Sequence, residues 1–179
     1  MIEIDASRLL DSGERLIWSG KPNPFRYAIK KGTTTFLFGL FFFGFAIFWT
    51  YGAANQSGMF FASFGIPFLV VGLGLVLSPA WHYFRGERAM YALTDHRAVI
   101  DISDMFPKRV SVPLKQIKFV ELKRSGTGFG DVLFREIVSS GGEGTSITRD
   151  GFFAIADVDS VDQLLRRAVE KESFPRISP

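Results

Sequence analysis

The chain has 179 residues, no cysteine, a formal net charge of +3 and an apolar fraction of 47%. This length leaves room for one membrane hairpin and one small soluble domain. The lack of cysteine excludes disulfides, thiolate metal sites and cysteine nucleophiles. Eleven of the 20 phenylalanines lie in one uncharged stretch, which indicates lipid contact and helix packing and not a surface for stacking nucleic-acid bases.

Residues 1–33 are expected to form an N-terminal segment. Residues 5–13 are typical of a short helix, and residues 14–20 are typical of a short strand. Pro22 and Pro24 favour an extended connector after the strand, because proline fixes φ and removes a hydrogen-bond donor. The segment also carries acidic residues early on, so it does not have the pattern of a secretory signal.

A stretch of 50 residues, 32–81, contains no Asp, Glu, Lys or Arg. A bilayer core of about 30 Å requires about 20 apolar residues per helix. The sequence therefore predicts a membrane hairpin over residues 34–82, with helices at about 34–53 and 59–81 and a polar turn at 55–58. The alternative is a buried helical hairpin of a soluble protein, but such helices are rarely apolar around their whole circumference.

Basic residues flank only the outer ends of this hairpin. Lys30 and Lys31 precede it, Arg85 and Arg88 follow it, and the turn has no charge. By the positive-inside rule, both termini of this multi-pass protein are expected on the cytoplasmic side of the cytoplasmic (inner) membrane. Trp81 is expected at the depth of the headgroups. The lysines either mark the membrane boundary or capture an anionic lipid.

No ionisable residue lies within the hairpin, which argues against a transporter or pump. Pro67 is expected to kink the second helix or to be accommodated by its neighbours. The expected partners are therefore the lipid bilayer and either other integral membrane protein subunits or a second copy of the chain. Five glycines permit close approach of helix backbones: Gly39, Gly44, Gly65, Gly72 and Gly74.

Residues 86–172 are expected to form a cytoplasmic domain, and residues 173–179 a tail. Apolar and charged residues alternate in most of this region, as they do in half-buried strands. Near the end, apolar residues recur with the spacing of one helix face: Val161, Leu164, Leu165, Ala168 and Val169. Many short strands followed by one amphipathic helix predict a small antiparallel barrel or sandwich with the helix over an open end.

Four short motifs in this order resemble the bacterial pleckstrin-homology-like (PH-like) membrane proteins. They are residues 13–22 (GERLIWSGKP), 91–97 (YALTDHR), 112–114 (VPL) and 128–132 (GFGDV). The resemblance implies a seven-stranded bent barrel, capped by the C-terminal helix, on the cytoplasmic side of the membrane. It implies no catalytic residue, and an insertion at Phe129 and Gly130 argues against transferring a binding role to that turn.

The chain offers little for catalysis or for a cofactor. Its only histidines are His82, at the expected membrane interface, and His96, in an expected turn whose backbone Asp95 is expected to cap. No metal-binding spacing, dinucleotide fingerprint or P-loop is present. No catalytic residue, metal, cofactor, small-molecule substrate or nucleic-acid partner is therefore expected.

The surface with a rationale for binding is basic, although the same residues also serve as ordinary strand charges and as determinants of topology. The candidates for contact with the lipid headgroups or the interface are Lys30, Lys31, Trp81, Arg85, Arg88, Arg97, Lys108 and Arg109.

Two functions follow as expectations. The first is a non-enzymatic, membrane-anchored PH-like interaction module that acts as an accessory, assembly or scaffolding subunit of a larger membrane complex. The alternative is a module that binds anionic lipid headgroups at the inner leaflet. An enzyme remains possible only if a partner supplies the catalytic groups.

Overall fold

The computed structural model describes residues 7–126, 128–141 and 144–173. The chain divides into two compact units. Pro24–Phe84 form a helical unit, whereas the residues up to Asn23 and those from Arg85 onward form a second, mainly β unit. The helical unit is therefore an insertion in the β unit. Of the expected helix over residues 5–13, the described part, residues 7–13, contains one 3-10 turn, Ser7–Leu9, and Asp5 lies outside the described residues.

This division differs from the one expected from the sequence, in which residues 1–33 stand apart. Strand β1, Leu16–Gly20, pairs with a strand that follows the hairpin, and the long helix α1 already begins at Pro24. Strand pairing satisfies the backbone groups of β1, which local sequence does not reveal. Pro24 opens the helix and does not extend the connector, because the first helical position needs no N–H donor.

The helical unit contains the two apolar helices that the sequence predicts, with longer ends. α1 spans Pro24–Ser57, and the return path consists of α2 (Met59–Ser63), α3 (Gly65–Val76) and α4 (Ser78–Arg88). α4 continues past the unit boundary into the β unit. The helices are longer than expected because the lack of charge locates only the apolar part of a helix. The helix itself extends over polar residues as long as its backbone hydrogen bonds continue.

The return path is interrupted at Phe64 and at Leu77, each shortly before a proline. Pro67 and Pro79 have no N–H with which to bond the carbonyl four residues earlier, so the helical ladder is broken there. The expected disturbance at Pro67 is thus found, as a break three residues before the proline.

Two glycines allow the apolar helices to pack closely. A Cβ on Gly39 would lie 2.6 Å from Leu75 Cβ, and a Cβ on Gly72 would lie 2.9 Å from Phe43 Cα. Such close contact leaves no room for a larger side chain. Two other glycines have no atom within 4 Å of that position: Gly44 and Gly74.

Most apolar side chains of these helices are exposed. Two segments are long and apolar enough to cross a membrane, Pro24–Gln56 and Met59–Val76, with mean hydropathies of 1.7 and 2.2. Only 11% and 17% of their apolar windows are buried. A core helix of a soluble protein is mostly buried, so this unit has the exposure expected where lipid is the solvent.

The β unit contains two antiparallel sheets. Sheet one has the order β1-β2-β3-β4, where β2 is Ala89–Thr94, β3 is Arg97–Ile102 and β4 is Lys108–Pro113. β1 runs antiparallel to β2, and β3 is antiparallel to both of its neighbours. At one end of the sheet, across all four strands, lie the end of β1, the start of β2, the end of β3 and the start of β4. We call this the hairpin end. Both connections to the helical unit leave from this end.

Sheet two has the order β5-β6-β7, with β5 at Glu121–Arg124, β6 at Phe129–Gly141 and β7 at Gly144–Ala156. The turn into β6 is closed by a 2.8 Å hydrogen bond from Ser125 N to Phe129 O. Helix α5, Val158–Ser173, follows β7. The predicted antiparallel strands and final amphipathic helix are confirmed. In the described part of the chain the strands form two separate sheets and not one closed barrel.

The main core lies between the sheets and is covered by α5. Phe152 is fully buried at its centre, with ring centroids 5.3 Å from Trp18, 5.1 Å from Tyr91 and 4.9 Å from Phe134. Four buried residues of α5 join this core: Val158, Val161, Leu165 and Ala168. The cluster combines strands from before and after the hairpin, so the β unit needs both parts of the chain to fold.

The outer face of sheet one is covered separately. Leu9 packs there with Met90, Ala92 and Val99, and Leu16 is at the margin of this cluster. β2 is consequently buried on both faces. The N-terminal residues thus act as a cover for the sheet, in addition to supplying its first strand.

Candidate functional site

An open cavity of about 530 Å³ lies on the outer face of sheet one at the hairpin end. Four cationic and two anionic side chains line it, so its net charge is positive. We call it the basic cavity. Its lining consists of Arg8, Leu9, Lys21, Glu87, Arg88, Met90, Asp101, Ser103 and Arg109.

Four separate parts of the chain bring the cations together. Lys21 directly follows β1, and Arg88 is the last residue of α4, directly before β2. Arg109 is the second residue of β4 and lies opposite Asp101 on β3. Arg8 belongs to the 3-10 turn that covers the sheet. Pairing of β1 with β2 is what brings Lys21 and Arg88 to the same end.

The cations of the cavity differ in how far they are neutralised. Arg109 Nε lies 2.8 Å from Asp101 Oδ1, and Ser103 Oγ donates a 3.0 Å hydrogen bond to Asp101 Oδ2. Within the described residues, Lys21 and Arg88 form no ion pair. The cavity therefore retains exposed positive charge, which suits a phosphate group or another anion of similar size.

The β3–β4 loop, residues 103–107, lies beside this cavity at the same end of the sheet. Arg85 Nε in the last turn of α4 is 2.7 Å from Asp104 Oδ2, and the carboxylate is only 4% exposed. Asp104 Oδ1 also accepts a 2.8 Å hydrogen bond from Phe106 N. At the tip, Met105 is 73% exposed and Phe106 is 67% exposed.

The structure brings together four of the eight residues expected at the interface: Arg85, Arg88, Lys108 and Arg109, all at the hairpin end of sheet one. Lys30 and Lys31 lie in α1 and Trp81 in α4, all three in the helical unit and exposed. Arg97 lies at the opposite end of sheet one, at the start of β3.

Arg8 and Lys21 are members of the basic cavity that sequence reasoning did not select. The available signal was the position of Lys21, one residue after an expected strand and close to the uncharged apolar stretch. Its partners became visible only when β1 was paired with β2 across more than sixty intervening residues.

Arg97 holds the N-terminal segment in place instead of facing a ligand. Its Nε lies 2.8 Å from Glu14 Oε1, and its Nη2 lies 2.8 Å from Asp11 Oδ2 and donates to Leu9 O at 3.3 Å. Burial lowers the pKa of Arg97, but hydrogen bonds and charge from Glu14 and Asp11 outweigh this and raise it overall. The guanidinium therefore stays charged and is engaged internally.

The β2–β3 turn is also structural. Thr94 Oγ1 accepts hydrogen bonds from His96 N at 3.2 Å and Arg97 N at 3.0 Å, so Thr94 caps the turn, the role expected of Asp95. The Asp95 carboxylate accepts a 2.9 Å bond from Arg15 N, which is the main cause of its lowered pKa. His96 Nε2 is 3.9 Å from Asp95 Oδ1, too far for the hydrogen bond that orients a catalytic base.

A second cavity of about 550 Å³ is lined mainly by β4, the segment after it and β6. It includes the cations Lys118 and Arg135, the anion Glu136, and the aromatic residues Phe119 and Phe134. Arg109 lines both cavities, and the elements that carry the charged residues of the second cavity are not joined directly to the helical unit. Its position therefore gives no reason to connect it with a membrane.

In the part of the chain that the structure describes, no group of three His, Asp or Glu side chains is arranged to hold a metal ion. The excess of cationic over anionic side chains in the basic cavity suits the binding of an anion. No protein-family model matches this chain, and neither the curated proteins nor the solved structures provide a match.

Proposed function

We propose that this chain is a two-span protein of the cytoplasmic membrane whose β unit is a non-enzymatic, PH-like module that binds anionic lipid headgroups. The observation that carries the proposal is the basic cavity at the hairpin end. Two of its cations, Lys21 and Arg88, form no ion pair with a described residue and lie on the two segments that lead into and out of the apolar helices.

Support for the membrane location comes from the exposed apolar helices and from their flanking charges. With Lys30 and Lys31 before the hairpin and Arg85 and Arg88 after it, both termini are on the cytoplasmic side. Arg88 follows Trp81 by seven residues in the same helix, a rise of about 10 Å. This distance keeps Arg88 within reach of the headgroups when Trp81 lies at the interface.

Support for the PH-like assignment comes from the strand order and the last helix. In the described residues, a four-stranded and a three-stranded antiparallel sheet supply the seven strands that the four sequence motifs imply, and a helix packs on their common core. The two sheets do not close into the implied barrel. In this chain the apolar hairpin is inserted between the first and second strands.

Charge reversal tests the headgroup site. A basic residue near an anionic leaflet contributes about 1 kcal/mol, so reversal to glutamate costs roughly 2 kcal/mol, or about a 30-fold loss of affinity. We expect Lys21→Glu and Arg88→Glu each to reduce the amount of phosphatidylglycerol that the full-length protein retains. The measurement is native mass spectrometry after extraction from mixed phosphatidylcholine and phosphatidylglycerol.

Lys118→Glu is the matched control, because Lys118 is exposed, forms no ion pair with a described residue and lines the other cavity. It changes net charge equally and should leave lipid retention unchanged. Retention should also fall with added salt, which screens exposed charges. Equal loss in all three variants would show a general charge effect and would contradict the site.

A second function, that of an accessory or scaffolding subunit, is favoured by a different feature. β5 pairs with β6 only as far as Leu133, so the rest of β6 and β7 forms a two-stranded ribbon. Val138 and Ile147 face each other on it and are 59% and 61% exposed. An isolated ribbon is marginally stable, and an exposed apolar pair on it fits contact with another membrane protein subunit or a second copy.

The expected result for this function is a complex larger than the monomer after crosslinking in native membranes. Val138→Lys with Ile147→Lys should abolish it, because two charges then oppose burial of the pair. His96→Lys, at the exposed β2–β3 turn, is the control that leaves the ribbon intact. Recovery of only the monomer by native mass spectrometry of the crosslinked wild-type protein would contradict the subunit role.

A further inference from the structure

The β3–β4 loop combines four features that the basic cavity does not explain. Its tip carries two large apolar side chains, Met105 and Phe106, which are mostly exposed. It leaves sheet one at the hairpin end, where the chain also passes to and from the apolar helices. The side chain of its single acid, Asp104, is only 4% exposed, and basic residues flank the loop.

We infer that this loop inserts its apolar tip into the interfacial region of the same leaflet that the hairpin crosses. The inference rests on the proposed membrane location, and it adds a second and independent contact to the headgroup site. The occupant of the apolar surface is thus the bilayer itself and not a partner protein.

The charge distribution of the loop supports a lipid partner. Asp104 would be repelled by an anionic leaflet, but its carboxylate is held inward by Arg85 at 2.7 Å and is 4% exposed. Lys108 and Arg109 follow the tip after Pro107. The outward surface therefore consists of two apolar side chains with cations next to them, which is the pattern of a segment that settles at the boundary between headgroups and acyl chains.

The geometry of the loop supports insertion as a fixed element. Arg85 belongs to the last turn of α4, in the part of that helix that lies within the β unit. Its ion pair with Asp104, together with the 2.8 Å hydrogen bond from Phe106 N to Asp104 Oδ1, fixes the base of the loop and the start of its tip. Ser103 N also donates to Arg88 O at 3.4 Å. The loop is therefore attached to α4 at two points.

The lack of cysteine makes the inference directly testable by labelling at a single site. In the full-length Met105→Cys variant, the new cysteine is labelled with a nitrobenzoxadiazole probe. The labelled protein is then reconstituted in nanodiscs of phosphatidylcholine and phosphatidylglycerol. His96→Cys is the matched control, because it is exposed at the opposite end of sheet one. We expect a blue-shifted emission and quenching by doxyl-labelled lipid at position 105, and neither at position 96.

Two further variants make each outcome decisive. Phe45→Cys, exposed within α1, reports whether the hairpin itself is in the bilayer. If the probe is quenched at position 45 but not at position 105, only the insertion of the loop is overturned. If the probe is not quenched at position 45, the proposed membrane location on which the inference rests is overturned. In a Phe106→Asp background, the probe at 105 should lose its quenching. Unchanged quenching there would mean that the probe inserts by itself, and would also overturn the inference.

Nanodiscs of phosphatidylcholine alone separate the loop from the headgroup site. Insertion driven by Met105 and Phe106 should persist without anionic lipid, because it depends on apolar burial. Quenching at 105 that disappears in these nanodiscs would assign the contact to charge alone and would contradict an apolar insertion.

Discussion

Replacement of Phe152 by alanine is expected to cause the largest loss of stability among single substitutions in the β unit, about 3–5 kcal/mol. Phe152 is fully buried and contacts aromatic rings from three other strands, Trp18, Tyr91 and Phe134. Its removal leaves a cavity where elements from both sides of the inserted hairpin meet. For a unit of this size the loss corresponds to roughly 10–20 °C in the unfolding midpoint.

Trp18 reports this change directly, because its ring lies 5.3 Å from that of Phe152. The measurement is thermal unfolding followed by tryptophan fluorescence, in a Trp49→Phe, Trp81→Phe background. Phe106→Ala is the control, since it removes the same group from an exposed position and should change the free energy of unfolding by less than about 0.5 kcal/mol. Equal shifts in both variants would contradict the core described for the β unit.

Replacement of Gly72 by leucine is expected to separate the two apolar helices. A Cβ at this position would lie 2.9 Å from the Phe43 backbone, which has no rotamer through which to move away. Overpacking costs typically 1–3 kcal/mol, and more where backbone must shift. Spin labels at Phe48→Cys and Val70→Cys, both exposed, measure the interhelical distance by double electron–electron resonance.

The control for Gly72→Leu is the replacement of another glycine by leucine, two residues later in the chain. Gly74→Leu adds an equal side chain in open space and should leave the distance distribution unchanged. Gly39→Leu should act like Gly72→Leu, because its Cβ would approach Leu75 at 2.6 Å. If the distribution of interhelical distances in Gly72→Leu is the same as in the wild-type protein, these helices do not pack through their glycines.

Five glycines were expected to permit close approach of the two apolar helices. The sequence did not show which of them lie at the contact between the helices. Gly39, Gly65 and Gly72 face the neighbouring helix, whereas Gly44 and Gly74 face open space. Gly65 and Gly72 are separated by seven residues, which places them on one helix face. That spacing was visible in the chain, but only the opposite helix shows which face is the contact.

Two arginines expected at the interface show a similar limit. Arg88 and Arg97 are equivalent in sequence, as basic residues next to expected strands, yet Arg88 is exposed in the basic cavity and Arg97 binds Glu14 and Asp11. Their difference follows from register, because they lie at opposite ends of the antiparallel strands of sheet one. Acidic residues far away in the chain, Asp11 and Glu14, form ion pairs with Arg97 and not with Arg88.

Local chemistry was enough to locate the two apolar helices, the region of antiparallel strands and the last amphipathic helix. Each depends on the polarity pattern of consecutive residues, which is read within one segment. The membership of β1 in sheet one, the assembly of the basic cavity and the exposure of Met105 and Phe106 depended on long-range pairing. Backbone hydrogen bonds between distant strands carry no signature in the side chains of either strand, so only the folded chain reveals them.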